Sequence, residues 1–361
     1  MLMVRELGPG GTERQLTELA RALDPSKLQV HVGCFHEGIR ADELRLAGIP
    51  ILRLPVTSFL NASAPLGAWQ LGRYLRRRKI RLVHTFDYPL NCFGVPVART
   101  FGIPVVLSSQ RFHRHLTPGP YLRVLRMTDH LVNGIVVNSE SVRREMIEEE
   151  HVAASRVQLC YNGIDISRFN PGARLRVPSL QDASLIIGVV CLLRPEKGLE
   201  TLLRAFAQLA RRDANARLLI VGSGPEQPGL EGLAQEVGIR GQTVFQPAVA
   251  DVVPWLRSID IFVLPSLSEA LSNSLIEAMA CGCACVASSV GGNPELIRDG
   301  ETGFLFPPGN APDLSRKLAL LAEDPHFRAR FVRASTIYIR ERFSLQSSAA
   351  RMHEIYDSYL A

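Results

Sequence analysis

Two glutamates, Glu269 and Glu277, stand eight residues apart in the segment from Ser268 to Gly282. Before them, Ile259 to Leu264 reads as a buried strand, rich in branched and aromatic residues and stopped by Pro265. Ser272, Asn273 and Ser274 are capping types, so a helix is expected to start there and run to Ala280. A helix start presents backbone N–H groups and the positive end of a dipole, which suits a phosphate. Glu277, one turn in, can accept hydrogen bonds from ligand hydroxyls such as those of a ribose. Glu269, on the loop, can reach a second polar group. Either glutamate taken alone reads better as solvated. The combination of strand, polar turn, capped helix and small-residue end is what outlines a nucleotide-sugar site.

Three more turns follow strand-like runs in the second half. Arg194-Pro195-Glu196-Lys197-Gly198 puts two cations after a strand, where a parallel sheet faces its ligand crevice. Arg194 and Lys197 could offset the charge that develops on a departing diphosphate. Taken alone, this pentapeptide is a charged surface turn. Gly222-Ser223-Gly224 also ends a strand but lacks a third glycine, and Pro225 cuts across a dinucleotide fingerprint. Gly291-Gly292-Asn293-Pro294-Glu295 gives the fourth turn at the same expected sheet edge. In the first half, Gly10-Gly11-Thr12-Glu13 opens an amphipathic helix and lets a backbone come close to a phosphate.

These turns need a scaffold, and the rest of the chain describes one. Short apolar runs alternate with helical patterns along most of the 361 residues, which predicts parallel α/β architecture. Expected strands in the first half are 28–32, 51–54, 82–85, 104–107 and 134–137. In the second half they are 185–190, 217–221, 243–245, 261–264 and 285–288. Met1 to Glu6 reads as too short for a full first strand, as though it were clipped or began further upstream. Gly, Pro, Asn and Asp crowd together at 162–172, which marks a boundary. The expected division is a domain over 1–165, a linker over 166–183, a second domain over 184–343 and a final helix over 344–361.

Hydrophobic content of 46% is enough to bury a sizeable core, and the net charge of +6 is modest. Cations gather at Arg73, Arg76, Arg77, Arg78, Lys79 and Arg81, then at Arg111, Arg114, Arg123 and Arg126. They read evenly as solvated helix ends or as a face for an anionic membrane surface or a phosphate-bearing acceptor. No nucleic-acid motif accompanies them. The seven cysteines sit mostly in apolar contexts, and the spacing of Cys281, Cys283 and Cys285 is not that of a zinc site. Reduced buried thiols in a cytosolic protein are the expectation. No apolar run reaches the length of a membrane span.

With these motifs assembled, the chain resembles the family 4 retaining glycosyltransferases. The likeness covers nearly its whole length and adds Asn162-Gly163-Ile164-Asp165 and Asp299-Gly300-Glu301-Thr302-Gly303 to the motifs above. It implies a GT-B fold: two facing Rossmann-like domains with parallel sheets and a cleft between them, the first on the acceptor side. It implies that Glu277 holds the nucleotide ribose, Glu269 contacts the donor sugar and Lys197 faces the diphosphate. Backbone amides at Asn273, Ser274 and Leu275 would cradle phosphate, with Gly222 nearby, and Gly10 and Gly11 would approach from the other domain. No metal or other cofactor is implied, and attack comes on the same face, assisted by the leaving phosphate. The final helix would cross back to the first domain.

Two positions depart from the pattern. Leu192 occupies the place of the family's usual basic residue, with Arg194 as the substitute. Ser108-Ser109-Gln110-Arg111 stands where a histidine often touches the donor sugar, leaving Gln110 or Arg111 for that contact. His84 and His113 read as ordinary loop histidines. The expected activity is transfer from a UDP-sugar, with a GDP-sugar as the alternative, to a hydroxyl of a lipid-linked or polysaccharide acceptor. The expected place is the cytoplasm, at the inner membrane face. The alternatives are a catalytically degenerate nucleotide-sugar-binding protein and a GT-B sugar-nucleotide epimerase.

Overall fold

Parallel pairing on both sides of a strand demands a crossover helix after almost every strand, and that rhythm organises both halves of the chain. The structure is a computed structural model and describes residues 1–173 and 176–361. They divide into two units: Met1–Gly163 with Leu345–Ala361, and Ile164–Ser344.

The first unit is built on a seven-stranded parallel sheet. Its strands are β1 (Leu2–Glu6), β2 (Val32–His36), β3 (Ile51–Arg53), β4 (Leu82–Thr85), β5 (Val105–Gln110), β6 (Gly134–Val137) and β7 (Val157–Leu159), in the order β3-β2-β1-β4-β5-β6-β7. Its helices are α1 (Gly11–Ala22), α2 (Arg40–Leu46), α3 (Ser63–Arg77), α4 (Tyr88–Thr100), α5 (Gly119–Asp129) and α6 (Glu140–Arg144). The C-terminal helix α14 (Leu345–Leu360) joins them, burying Ala349, Met352, Ile355 and Tyr356 in the same core as Leu16, Leu19 and Val136. The apolar positions fall three to four residues apart, one face of a helix.

Several expectations need correction here. The residues after Met1 do form a strand: β1 pairs with both β2 and β4, because Leu2, Met3 and Val4 are all buried between them. The second strand is 32–36 and not 28–32, since Val32, Cys34 and Phe35 are the buried residues. His84 is no loop histidine. It lies in β4, fully buried, with Nδ1 2.8 Å from Tyr356 Oη and Nε2 2.8 Å from Ser109 Oγ. Desolvation, then Arg111, lowers it to about 3. His113 pairs with Glu145 at 2.5 Å. Arg114 and Arg126 are paired within the unit: Arg114, buried, bonds Asp129 (2.6 Å) and Glu150 (3.0 Å), and Arg126, more than half exposed, bonds Glu150 (2.8 Å).

The second unit carries a six-stranded parallel sheet in the order β10-β9-β8-β11-β12-β13. The strands are β8 (Ile186–Val190), β9 (Arg217–Val221), β10 (Thr243–Gln246), β11 (Ile261–Leu264), β12 (Ala284–Ser288) and β13 (Phe304–Phe306). The helices are α7 (Leu199–Ala210), α8 (Gln227–Glu236), α9 (Val253–Ser258), α10 (Asn273–Ala280), α11 (Asn293–Leu296), α12 (Ala311–Glu323) and α13 (Pro325–Arg342). The register sets Val190 against Val221, Ile187 against Ile261 and Leu264 against Ala287, so four neighbouring strands end at one edge.

The segment expected as a linker packs on this unit instead. Phe169 and Leu180 are buried, Arg257 Nε donates to the Asn170 carbonyl (3.1 Å), and the Val177 N–H donates to Ser258 Oγ (3.1 Å). Arg174 and Leu175, part of that expected linker, lie outside the described residues.

Candidate active site

At the edge where β8, β9, β11 and β12 end, the second unit's loops are held together by backbone contact that only glycine permits. A Cβ on Gly198 (φ +59°) would stand 2.4 Å from the Pro265 carbonyl oxygen. One on Gly222 (φ +147°) would stand 1.8 Å from the Cys191 carbonyl oxygen. Both values lie well inside van der Waals contact, and both φ angles lie where side chains are strained. The Leu267 N–H also donates to the Glu196 carbonyl at 2.8 Å, joining the loop after β8 to the loop after β11.

That joining brings Lys197 and Glu269 together. Lys197 Nζ donates to Glu269 Oε1 at 2.5 Å, with 20% and 10% of the two side chains exposed. Burial by itself would lower the lysine, but the Glu269 carboxylate overrides it and holds the ammonium above its ordinary range. Behind the pair stands a polar relay that the motifs did not reveal. Ser266 Oγ donates to Glu269 Oε1 (2.9 Å), Ser288 Oγ donates to the Ser266 carbonyl (2.6 Å), and Asn293 Nδ2 donates to the Ser288 carbonyl (3.0 Å). Ser266, Ser288 and Asn293 are fully buried. Asn293 was visible within the Gly291–Glu295 motif. The two serines carried no signal, because a buried serine in a strand end looks like any small residue.

Helix α10 begins beside this pair. Ser272 caps it, accepting from the Leu275 N–H at 3.3 Å and lying 3.2 Å from Ser274 Oγ. Of the three amides expected for phosphate, that of Leu275 is therefore held by a long bond to the cap, while Asn273 and Ser274 are the first two helical residues. Glu277 lies one turn in, 3% exposed. The Arg194 side chain is 57% exposed and lies 3.9 Å from Glu196. Leu192 is half exposed.

In the first unit, Gly10 caps α1 with extended backbone and Gly11 is the helix's first residue. A Cβ on Gly10 would meet Glu13 Oε2 at 2.2 Å, so the Glu13 carboxyl folds over this turn. Burial raises that carboxyl, and nearby Glu6 raises it further. This carboxyl was not foreseen at a turn expected to meet phosphate. Gln110 ends β5 instead of following it; it is 2% exposed and donates to the Phe112 carbonyl at 2.6 Å. Arg111 is the first residue past the strand. It bonds Asn162 Oδ1 and lies 5.6 Å from the Phe86 ring, and burial lowers it to about 10, leaving it cationic.

Chemically, the second unit's edge offers a fixed cation, a paired carboxylate, a capped helix start and a buried carboxylate one turn further on. The profile for glycosyl transferases group 1 matches residues 175–337, and that for glycosyltransferase family 4 matches 9–168. A D-inositol 3-phosphate glycosyltransferase of Streptomyces scabiei is 30% identical over 301 residues, covering 76% of this chain and 67% of that protein. An alpha-D-kanosaminyltransferase of Streptomyces kanamyceticus is 28% identical, covering 84% and 86%. The crystal structure of Anabaena HepE with UDP and glucose superposes with a TM-score of 0.85 at 22% identity, covering 99% and 98%, which shows the GT-B fold. The chain belongs to the family 4 glycosyltransferases and is a transferase enzyme.

Proposed function

We propose that this enzyme moves a sugar from a UDP-sugar, with GDP-sugar as the alternative, to a hydroxyl of a lipid-linked or polysaccharide acceptor with retention and without a metal. The observation that carries the reading is the Lys197–Glu269 pair beside the capped start of α10. Lys197 and the α10 N-terminus meet the diphosphate, Glu277 takes the ribose hydroxyls and Glu269 the donor sugar. In the reaction, the bond from the sugar's anomeric carbon to the diphosphate oxygen breaks while the acceptor oxygen bonds that carbon on the same face. The acceptor proton passes to the departing phosphate, and the Lys197 cation offsets the charge that collects there. The acceptor is met in the cytoplasm at the inner face of the membrane.

A panel of UDP- and GDP-sugars, read by released nucleotide with a membrane extract as acceptor source, tests this. Release with one donor, lost in Glu277→Ala and Lys197→Ala, supports the proposal. Donor binding without release in the wild type would instead support a degenerate binder. That reading draws on Leu192 in place of a cation and on the Glu13 carboxyl over Gly10. Conversion of the donor to an epimer without release would point to the epimerase.

A further inference from the structure

Between Glu43 and Asp87 the chain carries eight Lys and Arg residues and no carboxylate. The whole chain is +6, so everything outside this segment sums to −2. Within it, α3 buries Gly67, Leu71, Gly72 and Leu75 and turns the opposite stripe outward: Leu66, Trp69, Arg73, Arg76 and Arg77. These outer positions recur every three to four residues, so they form one face. Trp69 is 54% exposed, Leu66 48%, and Leu60, at the turn leading into the helix, 98%. Arg73 lies over the Trp69 ring at 5.4 Å, while Arg73, Arg76, Arg77, Arg78 and Lys79 form no ion pair among the described residues. Of the other cations singled out in the first half, Arg111, Arg114 and Arg126 are bonded inside the unit and Arg81 donates to the Leu360 carbonyl, while Arg123 is exposed on α5.

We infer that the outer face of α3, with Leu60, docks this unit on an anionic lipid surface. Apolar and aromatic side chains flanked by cations are the chemistry of a helix lying in the headgroup layer. The tryptophan enters the interface, and the arginines meet lipid phosphates. The segment also bears on substrate. Phe59, the residue before Leu60, lines a cavity of about 400 Å³ with Arg5, His36, Tyr88 and Tyr121. The turn that meets the lipid therefore borders an aromatic, hydrogen-bonding cavity in the same unit, where a lipid-linked acceptor could be received. This inference extends the acceptor proposed above and rests on that reading only for the link to substrate.

The chain has two tryptophans, and replacing the other one (Trp255→Phe) makes Trp69 the sole reporter. Vesicles of phosphatidylcholine with phosphatidylglycerol should shift Trp69 emission to the blue and sediment the protein, whereas pure phosphatidylcholine should do neither. Each neutralised cation should weaken binding about fivefold, so Arg76→Gln with Arg77→Gln should cost about 25-fold. Trp69→Ser should weaken binding as well, and high salt should release the wild type. All three positions are exposed, and solution turnover of donor in these variants checks that they fold. Equal binding to both vesicle types, or unchanged binding by the double variant, would overturn the inference. So would a blue shift that appears without vesicles and grows with protein concentration, since that marks a second copy. Retention on single-stranded RNA without a blue shift would overturn it too. Turnover without vesicle binding sinks this inference alone; vesicle binding without turnover sinks the transferase reading alone.

Discussion

Replacing Lys197 with methionine keeps the length of the side chain and removes its charge. Glu269 then keeps Ser266 as a donor at 2.9 Å but loses the cation at 2.5 Å. Breaking a fully buried pair costs about 3–5 kcal/mol, because one charge is left uncompensated. Here 20% and 10% of the two side chains reach solvent, so about 2 kcal/mol of stability should be lost. Turnover should fall further, because a fixed charge at a developing anion is worth about 10²–10³-fold in kcat, or about 3–4 kcal/mol. The double change Lys197→Met with Glu269→Gln leaves no lone charge, so it should recover most of the stability and none of the turnover. The assay is nucleotide release from the active donor, read beside thermal unfolding of the same samples. If the double variant regained turnover together with stability, or Lys197→Met alone stayed within about threefold of wild type, Lys197 would be a structural partner of Glu269 and the proposed role would fall.

Protonating His84 should destabilise the protein. Its folded value of about 3 lies below the unfolded one near 6.5, so the stability is fully present above about 6.5 and lost as pH falls. At pH 5 the loss is about 2 kcal/mol, read as a lower urea midpoint than at pH 7.5, and His84→Gln should flatten that dependence. Gly222→Ala should cost about 2–4 kcal/mol, since the new Cβ meets the Cys191 carbonyl; Gly232→Ala, inside α8 with open space around it, should gain about 0.5–1 kcal/mol. Thermal unfolding separates the two. Glu277→Gln should weaken UDP binding by about 10–100-fold in calorimetry, the worth of a hydrogen bond to a charged group.

The sequence by itself determined most of the scaffold and the motifs on it. Strands such as 217–221 and 261–264 were legible because both faces of a parallel sheet are covered, so the run is apolar throughout, apart from Arg217 at its half-buried start. The start of α10 was legible because Ser272 is a capping type directly before an apolar periodic run. Two short edge strands, β7 and β13, escaped, whereas β3, equally short, was legible as the apolar run 51–54. The runs forming β7 and β13 have three residues each, and a three-residue run shows no period. Residues 166–183 read as a linker because composition reports turns, and turns that pack look like turns that do not. Phe169 and Leu180 become core residues only once the second sheet offers them a surface.

Tertiary structure alone decided which of the candidate groups meet. Lys197 and Glu269 lie 72 residues apart and touch because β8 and β11 are neighbours in the sheet, an order that no local pattern encodes. The same order threads Asn293, Ser288 and Ser266 behind Glu269, while the Arg194 side chain, three residues from Lys197, stays 57% exposed. Likewise, Arg114 and Arg73 are both arginines in a basic half. Only the fold gives Arg114 two carboxylates and gives Arg73 a tryptophan facing solvent. Side-chain chemistry is written in the sequence, but the distance between two such groups is set by strand order and by backbones close enough to require glycine.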